Sequence, residues 1–373
     1  MNISKLIRFS NWYNASSGIR TIVVFVCILS IIALAGCGGS GSSSQSQTTS
    51  GAPASLPVWT NSFSIGGFSF PFTMVGTDPS IAGAGTTSIP LQIVPVTFTF
   101  AGNVFSSTSV ACGDTVNAVV RFQNSPLLTN FPWLQGGTTQ YTDAFQRTNL
   151  WKFVGSISPN YHVLFQPVTT LAPVNVDVPL TTGAFVTGNP GCPQHPLLTI
   201  PAAFMDTLTQ QVVTTQHITP NILPVFLTFN TLFVPPGGNP LSPIVGYHKT
   251  IGGGQTVVVG SYMDQGPGNS IDVAVLSHEL GEWMDNPNVS NRVPPWGNVG
   301  QVTTCSSLLE VGDPLSDHIV AVSSGGFTYH IQELAYLSWF ARSVPSIAIN
   351  GLYSNGGTFV SPAPILPNGP DCP

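Results

Sequence analysis

Apolar positions along the chain follow two periods, and the places where one gives way to the other divide it into elements. From Gln92 to Phe100 they alternate, with Val, Thr and Phe prominent, the pattern of a half-buried strand. Pro95 inside that run predicts an edge position or a bulge, because proline cannot donate to a ladder. Frequent Gly and Pro cut residues 58–110 into short strands of this kind. Val116 to Phe122 suits either a helix or a strand. Tyr141 to Phe153, with Phe145, Leu150 and Trp151 at helical spacing, predicts a helix on which Asp143 and Arg147 form a surface pair of little energetic weight. Leu197 to Pro201 leads into a helix over 202–214, and Ile222 to Phe229 is a continuous apolar run that reads as a buried strand. Strands over 244–250 and 256–262 flank Gly252-Gly253-Gly254 as a hairpin. Tyr329 to Phe340, apolar with Glu333 inside it, predicts a further helix. Strands predominate, so the expectation is an α+β fold, a twisted sheet packed with helices and a β-rich N-terminal part.

One stretch carries charge inside a helical pattern. After the apolar run Ile271 to Leu276 comes Ser277-His278-Glu279-Leu280-Gly281-Glu282-Trp283-Met284-Asp285-Asn286-Pro287. His278 and Glu282, four apart, share one helix face, while Val273, Leu276, Leu280 and Met284 fall on the other. Glu279 stands about 100° round from His278. This is the layout of the zinc-peptidase motif His-Glu-x-x-His with Glu at the second His. With seven His and four Glu in 373 residues, such a pattern arises by chance in about one chain per thousand of this composition. The plainer alternative is a helix whose charges face water.

The chain ends set the compartment. Lys5, Arg8 and Arg20 precede the uncharged run Thr21 to Ala35, shorter than the roughly 20 apolar residues a span needs and suited to a secretory signal. The run closes on Leu34-Ala35-Gly36-Cys37, which resembles a bacterial lipobox, with Cys37 as the lipidated residue; an uncleaved anchor helix is the alternative. The expected organisation is therefore a signal peptide over 1–36, a flexible Gly/Ser/Thr linker over 37–57 and a folded domain over 58–373. It places the protein in a bacterial cell envelope, periplasm-facing or extracellular, held to the membrane by its N-terminal lipid. Beyond the leader, six basic residues stand against fifteen acidic ones, a formal charge of −9, which argues against nucleic acid as a partner. Monomer is the expected state. Cys112, Cys192, Cys305 and Cys372 are even in number for an oxidising compartment, so two disulfides are expected. Three pairings are open, and the one preferred here joins Cys112 to Cys192 and Cys305 to Cys372.

Nine of the fifteen acids lie between Asp264 and Glu333, a concentration that calls for a cation. Past the rigid loop Pro294-Pro295-Trp296-Gly297, Glu310 and Asp313 return 28 and 31 residues after Glu282, and either completes three protein ligands with His278 and Glu282. Locally this order resembles the zincin metallopeptidases. More specifically, Gly246-Tyr247-His248, Ser277 to Glu282, Asn286-Pro287, Trp296 and Glu310 to Asp313 resemble the exported EXORDIUM, or phosphate-induced, family and its bacterial relatives. The resemblance covers residues 246–315 and departs at Pro314-Leu315, where that family has Leu-Cys.

It implies a zincin-like metal-site domain and a metal-dependent hydrolase acting on peptide bonds or another cell-envelope substrate, with Zn2+, or alternatively Ca2+ or Mn2+, as cofactor. Glu279 would be the general base, and Tyr247 or His248 would stabilise an oxyanion. His248 fits equally well as a fourth ligand or a core histidine. One His and two carboxylates leave a divalent cation neutral, which weakens its pull on bound water. A non-catalytic surface protein with a structural metal therefore stays open as the second reading.

Overall fold

The computed structural model describes residues 55–186, 192, 195–239, 242–264 and 271–365. β1 (Val58–Ile65) and β2 (Phe68–Val75) form a hairpin, then the long β3 (Thr86–Phe100) folds back on β4 (Asn103–Ser106). α1 (Ala118–Gln123), the small hairpin of β5 (Phe131–Trp133) and β6 (Gly137–Thr139), α2 (Tyr141–Asn149) and α3 (Trp151–Val154) follow. Next come β7 (His162–Thr170), β8 (Val174–Asp177), β9 (Ala184–Val186), β10 (Leu197–Pro201), α4 (Ala202–Thr215), β11 (Leu223–Phe229) and β12 (Thr231–Val234). β13 (Gly246–Thr250) and β14 (Thr256–Tyr262) lead to α5 (Ala274–Asp285). Two hairpins close the order, β15 (Arg292–Val299) with β16 (Val302–Leu308) and β17 (Ile319–Ser324) with β18 (Phe327–Gln332), before the short α6 (Leu337–Phe340). The fold is α+β with strands in the majority.

β7, β3, β11 and β14 run parallel in one sheet, and β13 joins its edge antiparallel to β14. Helices cover both faces, which is why β11 is apolar at nearly every position and wholly buried. One face packs Val225, Leu227 and Val258 against Leu276, Leu280 and Trp283 of α5. The other packs Phe226, Val257 and Val259 against Met205, Leu208 and Val212 of α4. β3, from the β-rich N-terminal part, is the middle of this sheet.

The expected edge position for Pro95 is thus corrected. Residue 93 turns its carbonyl to the β7 side, where it accepts from Leu171, and residue 95 faces the same way two positions on. There β7 has ended at Thr170 and β8 has yet to begin at Val174, so no ladder bond is lost. The helix expected over 329–340 is instead β18 followed by the single turn of α6, and Trp296 lies in β15 rather than in a loop. Asp143 is no surface charge: it is fully buried, accepting from Val163 N and Thr139 Oγ1 at 2.7 Å each. Arg147 donates to the carbonyls of Gly136 and Tyr161.

Cys112 and Cys192 are bonded, as preferred from the sequence. Cys305 is disulfide-bonded as well; its expected partner Cys372 lies outside the described residues, as do Cys37 and the leader. Among the described residues no helix is long and apolar enough to cross a membrane.

Candidate metal centre

α5 reaches the sheet edge because the positions facing it there are glycines. Gly246 and Gly260 are register partners on β13 and β14. A Cβ on Gly246 would stand 2.6 Å from Val275 Cγ1, and one on Gly260 would stand 2.5 Å from Leu276 Cδ2. The helix ends at Asn286, whose N–H bonds the Glu282 carbonyl, and Pro287 prevents a further turn. Asn286 Oδ1 then accepts from Ser290 and Asn291 N–H at 2.9 Å each, reversing the chain. Leu309 N–H bonds the Asn291 carbonyl at 3.0 Å, and the strand pair in between delivers Glu310 and Asp313 to the helix. Gly312 lies on the His278 ring so closely that a Cβ would come within 2.5 Å of Nδ1.

Six titratable side chains converge, each more than nine-tenths buried: His248 from β13, His278, Glu279 and Glu282 from α5, and Glu310 and Asp313 from the segment after β16. His278 Nε2 is 3.2 Å from Glu282 Oε1 and 3.6 Å from Asp313 Oδ1. His248 Nδ1 is 3.4 Å from Glu279 Oε2 and 3.6 Å from Glu282 Oε2, and its Nε2 is 4.0 Å from Glu310 Oε2. Both acids expected as a third ligand are therefore in the cluster, and so is His248. Tyr247 is not. Strand alternation turns it to the opposite face, where its hydroxyl donates to Asp206 Oδ1 at 2.9 Å, so the oxyanion role offered for it has no geometric support.

Hydrogen bonds fix both imidazoles. Gln332 Nε2 donates to the Gly312 carbonyl at 2.7 Å; that carbonyl can only accept, so Gln332 Oε1 must face His278 Nδ1, 3.1 Å away. Nδ1 then carries a proton, and Nε2 faces the carboxylates, donating to Glu282 Oε1 when the ring is protonated and free to bind a cation when it is not. By the same logic the Asn286 carbonyl, 3.2 Å from His248 Nε2, assigns the proton there and leaves Nδ1 as the free donor atom. Neither Gln332 nor the hub role of Asn286 was read from the sequence. Asn286 was visible as part of an Asn-Pro pair, whereas Gln332 has no local signature.

No family model, curated protein or solved structure matches the chain.

The chemistry of the cluster must therefore be argued from its own atoms. Burial, the largest influence on each group, opposes charge. It acts against the His278 imidazolium, but the Glu282, Glu279 and Asp313 carboxylates outweigh it and push the group up to about 10. Glu282 moves down despite its burial, because His278 and His248 together prevail. Burial, reinforced by the charges of Glu282 and Asp313, raises Glu310 well above the carboxylate range. Burial also raises Glu279, against the two imidazoles. The site demands positive charge and takes up protons where no cation supplies it. Glu310 is buried against the Glu282 carboxylate, with which it shares a hydrogen bond when it holds a proton. Donor atoms held at about 2.1 Å around one tetrahedral ion lie about 3.4 Å apart, close to the separations of 3.2–3.6 Å between the imidazole nitrogens and the oxygens of Glu279, Glu282 and Asp313. The residues fit a divalent cation.

Proposed function

We propose that this is an exported, lipid-anchored protein with a zincin-like metal centre, and that the centre makes it a metal-dependent hydrolase of peptide bonds. The observation that carries the metal is the burial of four carboxylates and two oriented imidazoles in contact with one another around Glu282. His248, His278, Glu282, Glu310 and Asp313 would hold the cation. Two imidazoles suit Zn2+, and the many oxygens suit Mn2+. When bound, it would supply Lewis acidity to a water or a scissile carbonyl.

Glu279 is the proton carrier in this reading. Burial raises its carboxyl, which brings a general base closer to the working pH. It would take a proton from the attacking water and deliver it to the leaving amine. Export and anchoring rest on the leader and Cys37 alone.

The burial of all six side chains favours a second reading, in which the metal ties α5, β13 and the 310–313 segment together without turnover. Glu279→Gln separates the two. Under the hydrolase reading, Glu279→Gln keeps its metal by elemental analysis and loses at least about 100-fold in cleavage of a mixed peptide library. A wild-type protein that holds its metal, cleaves nothing in that library and unfolds on chelation would establish the structural reading instead.

A further inference from the structure

The donor atoms do not converge on a single point. Glu282 splits them: Oε1 faces His278 Nε2 at 3.2 Å, and Oε2 faces His248 Nδ1 at 3.6 Å. Each imidazole has its other nitrogen committed elsewhere, to Gln332 Oε1 or to the Asn286 carbonyl, so each offers one lone pair, and the two are aimed at opposite oxygens of one carboxylate. Around the first oxygen Asp313 Oδ1 joins, 3.6 Å from His278 Nε2. Around the second, ligating atoms of His248, Glu282 and Glu310 all lie within 4.8 Å of one another. Ligating atoms of His278, Glu279 and Glu282 form another such group, and Glu282 is common to both.

Charge points the same way. The cluster holds Glu279, Glu282, Glu310 and Asp313, all buried. With neutral imidazoles and ionised acids, one divalent cation leaves two negative charges uncompensated in a low-dielectric interior, and two leave none. An uncompensated buried charge is among the costliest features a fold can carry.

We propose that the centre is dinuclear, with Glu282 bridging two divalent cations. One is held by His278 Nε2, Glu282 Oε1 and Asp313; the other by His248 Nδ1, Glu282 Oε2 and a carboxylate oxygen of Glu310. Glu279, 3.4 Å from His248 Nδ1 and grouped with His278, lies beside both positions and remains the proton carrier. The inference rests on the metal-centre reading above and deepens it: a bridged pair with two neutral imidazoles suits Mn2+ or Zn2+ and excludes the one-cation stoichiometry of the simple motif.

The test is Mn2+ titration of the chelator-stripped full chain, followed by elemental analysis after desalting and by electron paramagnetic resonance. The expected result is about two equivalents per chain and an exchange-broadened spectrum, since bridged ions sit about 3.5–4 Å apart. His248→Ala and His278→Ala, checked for folding by circular dichroism, should each saturate at about half that value and give the sharp six-line spectrum of isolated Mn2+. Saturation of the wild type near one equivalent with a six-line spectrum would overturn the dinuclear proposal and leave the single-cation centre standing. Two equivalents retained in both His variants would also overturn it. No bound Mn2+ or Zn2+ would remove the centre altogether.

Discussion

One turn beyond Glu282 on α5, Asp285 is fully buried. Its Oδ2 accepts from Asn149 Nδ2 at 2.8 Å, and the Gln146 amide also faces the carboxyl. Burial pushes its carboxyl from 3.8 up to about 8, against the smaller opposing pull of the Gln146 and Asn149 amides. Between those two values the folded chain keeps a proton that the unfolded chain has released. Stability from this group is therefore complete below pH 3.8 and is lost as pH rises, at about 1.4 kcal/mol per pH unit, until about pH 8. By pH 7 the loss is about 4 kcal/mol. Asp285→Asn removes the titration while keeping the shape and the acceptor for Asn149. Any new N–H left unbonded costs about 1–3 kcal/mol at every pH. The diagnostic is thus the slope: in urea unfolding, the stability of Asp285→Asn minus wild type should grow by about 4 kcal/mol from pH 4 to pH 7. Other groups of the metal cluster titrate in both proteins and cancel, provided both are measured in the same chelator. A difference that stays flat across that range would refute the assignment of a buried, proton-holding Asp285.

The contacts of the metal cluster give two further expectations. Gly312→Ala places a Cβ 2.5 Å from His278 Nδ1, so the 310–313 segment must move off the ring; metal affinity in a chelator competition should fall about 10–100-fold while the circular dichroism spectrum is unchanged. Gln332→Leu removes the acceptor that sets the His278 tautomer and the tether to Gly312, and should cost a similar factor in affinity, whereas Thr328→Val, four residues earlier on the same strand, should cost nothing measurable. Equal losses in the two strand variants would mean that Gln332 acts through strand stability rather than through His278.

Several features were legible in the chain because they are local. A His and a Glu four residues apart share a helix face wherever the helix lies, and apolar residues opposite them require that it be packed; α5 bears out both. The continuous apolar run from Ile222 to Phe229 marks a strand covered on both faces, and β11 is an inner strand of the sheet. Where alternation failed as a guide, the missing information was the neighbour. Tyr247 and His248 are adjacent on β13, and periodicity says only that they face opposite ways. Which of them meets the carboxylates was decided by the face on which α5 packs, and there Gly246 and Gly260 leave the helix room.

Composition and spacing determined that this chain has a motif helix, two returning acids, a mainly β architecture and an even set of cysteines beyond Cys37, whose pairing they left open. Tertiary structure alone decided that His248 enters the cluster while Tyr247 leaves it, that Gln332 and Asn286 orient the two imidazoles, and that Asp143 and Asp285 are buried rather than solvated. The reason is the range of the forces involved. Helical and strand periods are set by backbone geometry within a few residues, so sequence carries them directly. Desolvation and the pairing of a carboxylate depend on groups dozens to hundreds of positions away, brought near by sheet register and by glycine contacts that leave no local pattern.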